Sequence, residues 1–94
     1  MMLQAKTAVI TGCLQGIGKA TLETFARSGA TVFACCQSPE PDFIHFVTEI
    51  SEKYQAEIIP VYFDLQDNDA IKQAAVTIQK TKKKVDILVN GAGA

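Results

Sequence analysis

The sequence predicts a three-layer α/β domain, with a parallel four-stranded sheet in the order 3-2-1-4 between helices. Three observations predict it. Four apolar runs, at residues 6–11, 31–36, 57–63 and 85–89, alternate with three segments of helical period. The first run holds Ala8, Val9 and Ile10 without polar alternation, as a parallel strand covered on both faces requires. Three glycines, Gly12, Gly16 and Gly18, fall in the turn between that run and the first helical segment.

Each element follows from local chemistry. The first strand spans 6–11, and the helix after it, 17–28, carries Ile17, Thr21, Leu22, Phe25 and Ala26 toward the sheet. It ends at Ser28 and Gly29, where glycine can take the left-handed C-terminal position. The second strand, 31–36, lies beside the first because a βαβ crossover is right-handed. A loop with Pro39 and Pro41 leads to Asp42, the expected N-cap of a second helix with Phe43, Phe46, Val47, Ile50 and Tyr54 on its apolar face. The third strand contains Pro60, which cannot donate to a ladder and therefore suits a sheet edge. Asp67, Asn68 and Asp69 place acid at the positive end of a third helix with Ile71, Ala74, Ala75 and Ile78 on its apolar stripe. Lys80, Lys82, Lys83 and Lys84 crowd its negative end as a solvated, dipole-complementing group. Right-handed crossovers put the first two helices on one face and the third on the other. The crevice then opens between strands one and four, where direction reverses.

Composition narrows the function classes. The 94 residues are 48% apolar and 20% charged with net charge −1, the balance of one small soluble globular domain. That charge offers no footprint for nucleic acid or an anionic membrane surface. No apolar run approaches the roughly 18 residues of a membrane span, and the N-terminus carries no recognisable secretory signal, so the expected compartment is the cytoplasm. Cys13, Cys35 and Cys36 form no C-x-x-C pattern, which argues for buried or half-buried thiols rather than a disulfide framework or zinc site. His45 has no second ligand near it in the pattern and reads as a surface residue; no metal site is expected.

The glycine turn carries the chemistry. A helix N-terminus leaves its first amides unpaired and bears a partial positive charge, so an anion there meets donors without other partners. Glycines permit positive φ and let a pyrophosphate approach without meeting a Cβ. The spacing here is G-x-x-x-G-x-G rather than G-x-G-x-x-G, and Cys13 and Ala20 stand where a P-loop needs Gly and Ser or Thr.

Thr11-Gly-x-x-x-Gly-Ile-Gly18, Asp64-Leu65 and Asp86-Ile-Leu-Val-Asn-Gly-Ala-Gly93, in this order, resemble the short-chain dehydrogenase/reductase family over the whole chain. Within it the pattern is similar to that of 3-oxoacyl-acyl-carrier-protein reductases. The resemblance implies a Rossmann-type fold and an NAD(P)-dependent oxidoreductase that interconverts alcohols and ketones. It implies a cofactor site made of Gly12, Cys13, Leu14, Gln15, Gly16, Ile17 and Gly18 at the phosphates. Cys36 and Gln37 fall at the adenosine ribose, Asp64 and Leu65 at the adenine, and Asn90, Gly91 and Ala92 along the lip. Asn90 matches the first residue of the family's Asn-Asn-Ala-Gly and Gly91 replaces the second, which loses a side-chain amide. Family members that favour NAD carry Asp at the position of Cys36, and those that favour NADP carry basic residues at Gln15 or Gln37. This chain has neither. Without an acid to repel a 2′-phosphate the balance tips to NADP, the alternative being that Gln15 and Gln37 are solvated loop residues with no influence.

The family's reaction uses a downstream Ser and a Tyr-x-x-x-Lys pair, and those positions have no counterpart here. Neither Tyr54 nor Tyr62 is followed by Lys four residues on. The expectation is a cofactor-binding half-domain over 1–94, a fragment or truncated product, inactive in hydride transfer alone. Its small-molecule substrate would bind only in a longer form, with homo-oligomers possible. Strand four would be a bare apolar edge, and the face carrying the third helix only half covered. The rival readings are a non-catalytic nucleotide-binding or regulatory module and a degenerate fragment that binds nothing.

Overall fold

The computed structural model describes residues 2–91. In chain order the elements are β1 (Thr7–Thr11), α1 (Gly16–Arg27), β2 (Thr31–Cys36), α2 (Pro41–Tyr54), β3 (Ile58–Tyr62), α3 (Asn68–Lys80) and β4 (Ile87–Asn90). All three strand pairings are parallel and the order is β3-β2-β1-β4, as the sequence predicts. Pro60 sits on the edge strand β3 opposite Ala34, where its missing N–H costs no interior ladder bond.

Strand alternation divides the core between two faces. Ala8, Ile10, Val32, Ala34 and Cys36 turn toward α1 and α2 and pack with Leu22, Ala26, Phe43, Val47 and Ile50. Val9, Phe33, Cys35 and Val61 turn the other way and meet α3 chiefly through Ala74. Two helices therefore cover one face and one covers the other, as right-handed crossovers require. The second face is thinner. Leu88, beside Val9 on β4, is 71% exposed.

Two helix ends follow the local sequence directly, and one N-cap departs from the expected residue. Gly29 takes φ +92° after α1, the left-handed position only glycine adopts freely. Asp67 caps α3, its carboxylate accepting from the amides of Asp69 and Ala70 at 3.0 and 3.2 Å. The exception is α2, where the expected N-cap Asp42 lies inside the first turn and Glu40 occupies the cap position. Pro41 causes the shift: its fixed φ suits the first helical residue and its absent N–H is one the helix does not need.

Three stripe positions also differ from expectation. Ile17 on α1 and Ile71 and Ala75 on α3 are exposed. Ile17 stands in the first turn of its helix, and α3 buries only Ala74 fully because it rests on a narrow strip of sheet. At the start of β4, the Thr7 amide donates to the Asp86 carboxylate at 3.0 Å and the Asp86 amide donates to the Thr7 carbonyl at 2.8 Å. This pair anchors β4 to β1.

Candidate functional site: a cleft at the carboxyl ends of the strands

A cleft of about 490 Å³ opens where β1, β2 and β3 end, within the range usual for small-molecule sites. Segments distant in sequence meet there: Gly12, Leu14 and Gln15 of the glycine turn, Cys36 and Gln37 after β2, Asp64 and Leu65 after β3, and Gly91 after β4. Cys13, Gly16, Ile17, Gly18 and Asn90 lie outside its lining, and Ala92 lies outside the described residues.

The three glycines have separate tasks. Gly12 and Gly16 take φ +65° and +64°, which only glycine adopts without strain. A Cβ on Gly16 would point into empty space, with nothing within 4 Å. A Cβ on Gly18 would instead overlap the Gly12 carbonyl, so Gly18 lets the first turn of α1 press against the end of β1.

Gln15 holds the N-cap position of α1 but makes no side-chain hydrogen bond to the helix, and the first turn contains no acid. The contrast with α3 is direct, because there Asp67 satisfies the first amides. The N-terminus of α1 thus keeps unpaired donors and an unanswered partial charge beside the cleft, the condition for holding an anion.

Cys13 belongs to the turn through its backbone, and its thiol is buried, in line with the expectation of buried or half-buried thiols. Its amide donates to the Cys35 carbonyl at 3.1 Å, tying the turn to β2, while its buried thiol donates to the Ile10 carbonyl at 3.1 Å. Burial, with a contribution from Cys35, pushes the Cys13 thiol up to about 12. Burial likewise raises Cys35 to about 12, with Cys36 adding to the effect. Ile17 is 76% exposed beyond the sheet rather than packed on it.

At the end of β2 the Cys36 thiol donates to the Ser38 carbonyl at 3.3 Å, and Gln37 is exposed. Asp64 organises its own turn: its carboxylate accepts from the Gln66 amide at 2.9 Å and its carbonyl from the Asp67 amide at 3.0 Å. Leu65 is 43% exposed over the cleft. At the lip, the Thr11 hydroxyl donates to Asn90 Oδ1 at 3.0 Å, and the Gly91 amide donates to the Thr11 carbonyl at 3.1 Å.

Sequence reasoning placed Ser38 beside Cys36 and Gln37 but missed Glu40, Phe63 and Gln66 as lining residues. Their place one to four positions past the strand ends was the available signal. The tyrosines stand apart from the cleft lining. Tyr54 donates to Glu23 Oε2 at 3.1 Å, and Tyr62 packs edge-on to Phe43 with ring centroids 6.0 Å apart. Burial first, and Cys36 second, raise the Tyr62 pKa.

Fold and turn together define a Rossmann-type α/β sheet with its glycine-rich turn at the switch point between β1 and β4. The chain belongs to the short chain dehydrogenase family, whose model matches residues 6–94. It is 41% identical over 91 residues to a short chain dehydrogenase of Pseudocercospora fijiensis, covering 97% of this chain and 29% of that protein. To the 3-oxoacyl-[acyl-carrier-protein] reductase FabG of Thermotoga maritima it is 36% identical over 93 residues, covering 99% of this chain and 37% of the other. Among solved structures, the L-sorbose reductase of Gluconobacter frateurii in complex with NADPH and L-sorbose aligns with a TM-score of 0.86 and 30% identity. That alignment covers 98% of this chain and 35% of the reductase. The chain spans about a third of the length of these relatives.

Proposed function

We propose that this chain forms the nicotinamide-dinucleotide-binding unit of an oxidoreductase that moves hydride between an alcohol and a ketone. One observation carries the reading: the uncapped N-terminus of α1, reached through a glycine turn whose Gly16 leaves open space, borders a cleft of cofactor size. The dinucleotide's pyrophosphate lies over Gly16 and Ile17 against the free amides of α1, and the adenosine reaches across the ends of β2 and β3. The NADPH complex of the L-sorbose reductase supports the same cofactor class.

When bound, the dinucleotide supplies or accepts the hydride. The described residues orient it and exclude water from one side. Neither Tyr54 nor Tyr62 lines the cleft or has Lys four residues on. The choice between NAD and NADP turns on the ribose end of the cleft, where Cys36 and Gln37 alone favour NADP by lacking an acid.

Calorimetric titration with NADH and with NADPH tests the reading. Saturable binding of at least one is expected, and Gly16→Val is expected to abolish it by filling the phosphate position and straining a residue at φ +64°. Unchanged affinity in that variant would refute the placement of the pyrophosphate.

A further inference from the structure

We propose that Glu40 is the specificity-determining residue of the cleft and that it selects the unphosphorylated ribose, so that the chain prefers NAD(H) to NADP(H). This inference rests on the dinucleotide reading above and reverses the balance that Cys36 and Gln37 suggest. Glu40 lines the cleft next to Gln37 and Ser38, four residues past the end of β2, where the adenosine ribose lies.

Its carboxylate is held in place. The Ser38 hydroxyl donates to Oε1 at 2.8 Å. The Glu40 amide donates to the Ser38 carbonyl at 2.8 Å, and its own carbonyl accepts from Ile44 at 3.0 Å in the first turn of α2. Prolines on both sides, Pro39 and Pro41, restrict the backbone further. A carboxylate so fixed keeps acceptor capacity for ribose hydroxyls beyond the bond from Ser38.

Charge decides the sign. Glu40 and Asp64 line the cleft, and no lysine or arginine does among the described residues. Lys19, on the first turns of α1, sits over the Phe46 ring, 4.6 Å from its centroid. The N-terminus of α2 offers roughly half a positive charge, but Glu40 and Asp42 already outweigh it. The pyrophosphate common to both dinucleotides has the amides of α1; a 2′-phosphate has no cation and meets a carboxylate. A doubly charged phosphate about 6 Å from one carboxylate across water is disfavoured about tenfold.

Titration of the wild-type chain and of Glu40→Gln and Glu40→Lys with NADH and NADPH, at low and moderate salt, tests the proposal. The expected wild-type result is about tenfold tighter binding of NADH, with the ratio shrinking as salt rises. Glu40→Gln should bring the two affinities together and Glu40→Lys should favour NADPH, while far-ultraviolet circular dichroism stays unchanged for this exposed position. Binding of both dinucleotides with a ratio untouched by either substitution, or a wild-type preference for NADPH, overturns the role of Glu40 and leaves the cofactor reading standing. Failure of wild type to bind either overturns both.

Discussion

Replacing Gly91 with the asparagine that the family's pattern carries should weaken this protein rather than restore it. A Cβ built at Gly91 lies 2.6 Å from the Thr11 carbonyl oxygen, 2.7 Å from Gly18 Cα and 3.1 Å from the Gly18 amide nitrogen. Two of these are shorter than real Cβ contacts, and all involve backbone atoms that no rotamer change can move. The end of β4 must therefore retreat from the glycine turn, at the overpacking cost of about 1–3 kcal/mol. For a domain of this size that corresponds to a drop in Tm on the order of 10 °C. Urea and thermal unfolding of Gly91→Ala and Gly91→Asn check it, and both variants should lose similar stability because the obstacle is the shared Cβ. If asparagine left the midpoint unchanged or raised it, the close approach of Gly91 to Gly18 would not be the reason for glycine here, and the missing side-chain amide would matter instead.

The buried thiols give the protein an alkaline limit. Cys13 and Cys35 are raised from 9.0 to about 12, so the folded chain retains protons that the unfolded chain releases. Their contribution is fully present below about pH 9 and is lost as pH climbs toward 12. At pH 10 each thiol costs on the order of 1 kcal/mol relative to pH 7. Denaturant midpoints measured from pH 7 to pH 10 should fall more steeply in wild type than in a Cys13→Ala/Cys35→Ala variant, and parallel profiles would contradict the assignment. At the start of α3, Asp67→Ala removes the acceptor for two amides and should destabilise by about 1 kcal/mol, read from urea unfolding; no change would mean that water replaces the cap.

Much of this architecture was legible because several signals agreed. The continuous Ala8-Val9-Ile10 run, the edge-suited Pro60 and the glycines at 12, 16 and 18 each pointed to one sheet order and one crevice. What stayed hidden needed three dimensions. Ile17 has the helical spacing of a core residue, but periodicity cannot say that the first turn of α1 extends beyond the sheet it packs on. Ile71 and Ala75 fit the apolar stripe of α3, yet the width of sheet under that helix depends on neighbouring strands. Side-chain chemistry favoured Asp42 as a cap, and the fixed φ of Pro41 decided for Glu40. Glu40 was outside every motif, and its place in the cleft lining emerges only from the folded loop after β2.

The pairing of β1 with β4 has a consequence in chain entropy. The bonds joining Thr7 to Asp86 and Thr11 to Asn90 each connect residues 79 positions apart. That separation is roughly three times the distance along the chain from Thr7 to Thr31, so closing it costs about 1 kcal/mol more than bringing β1 and β2 together. The β1–β4 pairing is thus the closure in this sheet that polymer statistics oppose most. The Asp86 clamp, the Thr11 hydroxyl and the side-chain-free approach of Gly91 are concentrated at this seam, where the chain has the most freedom to surrender.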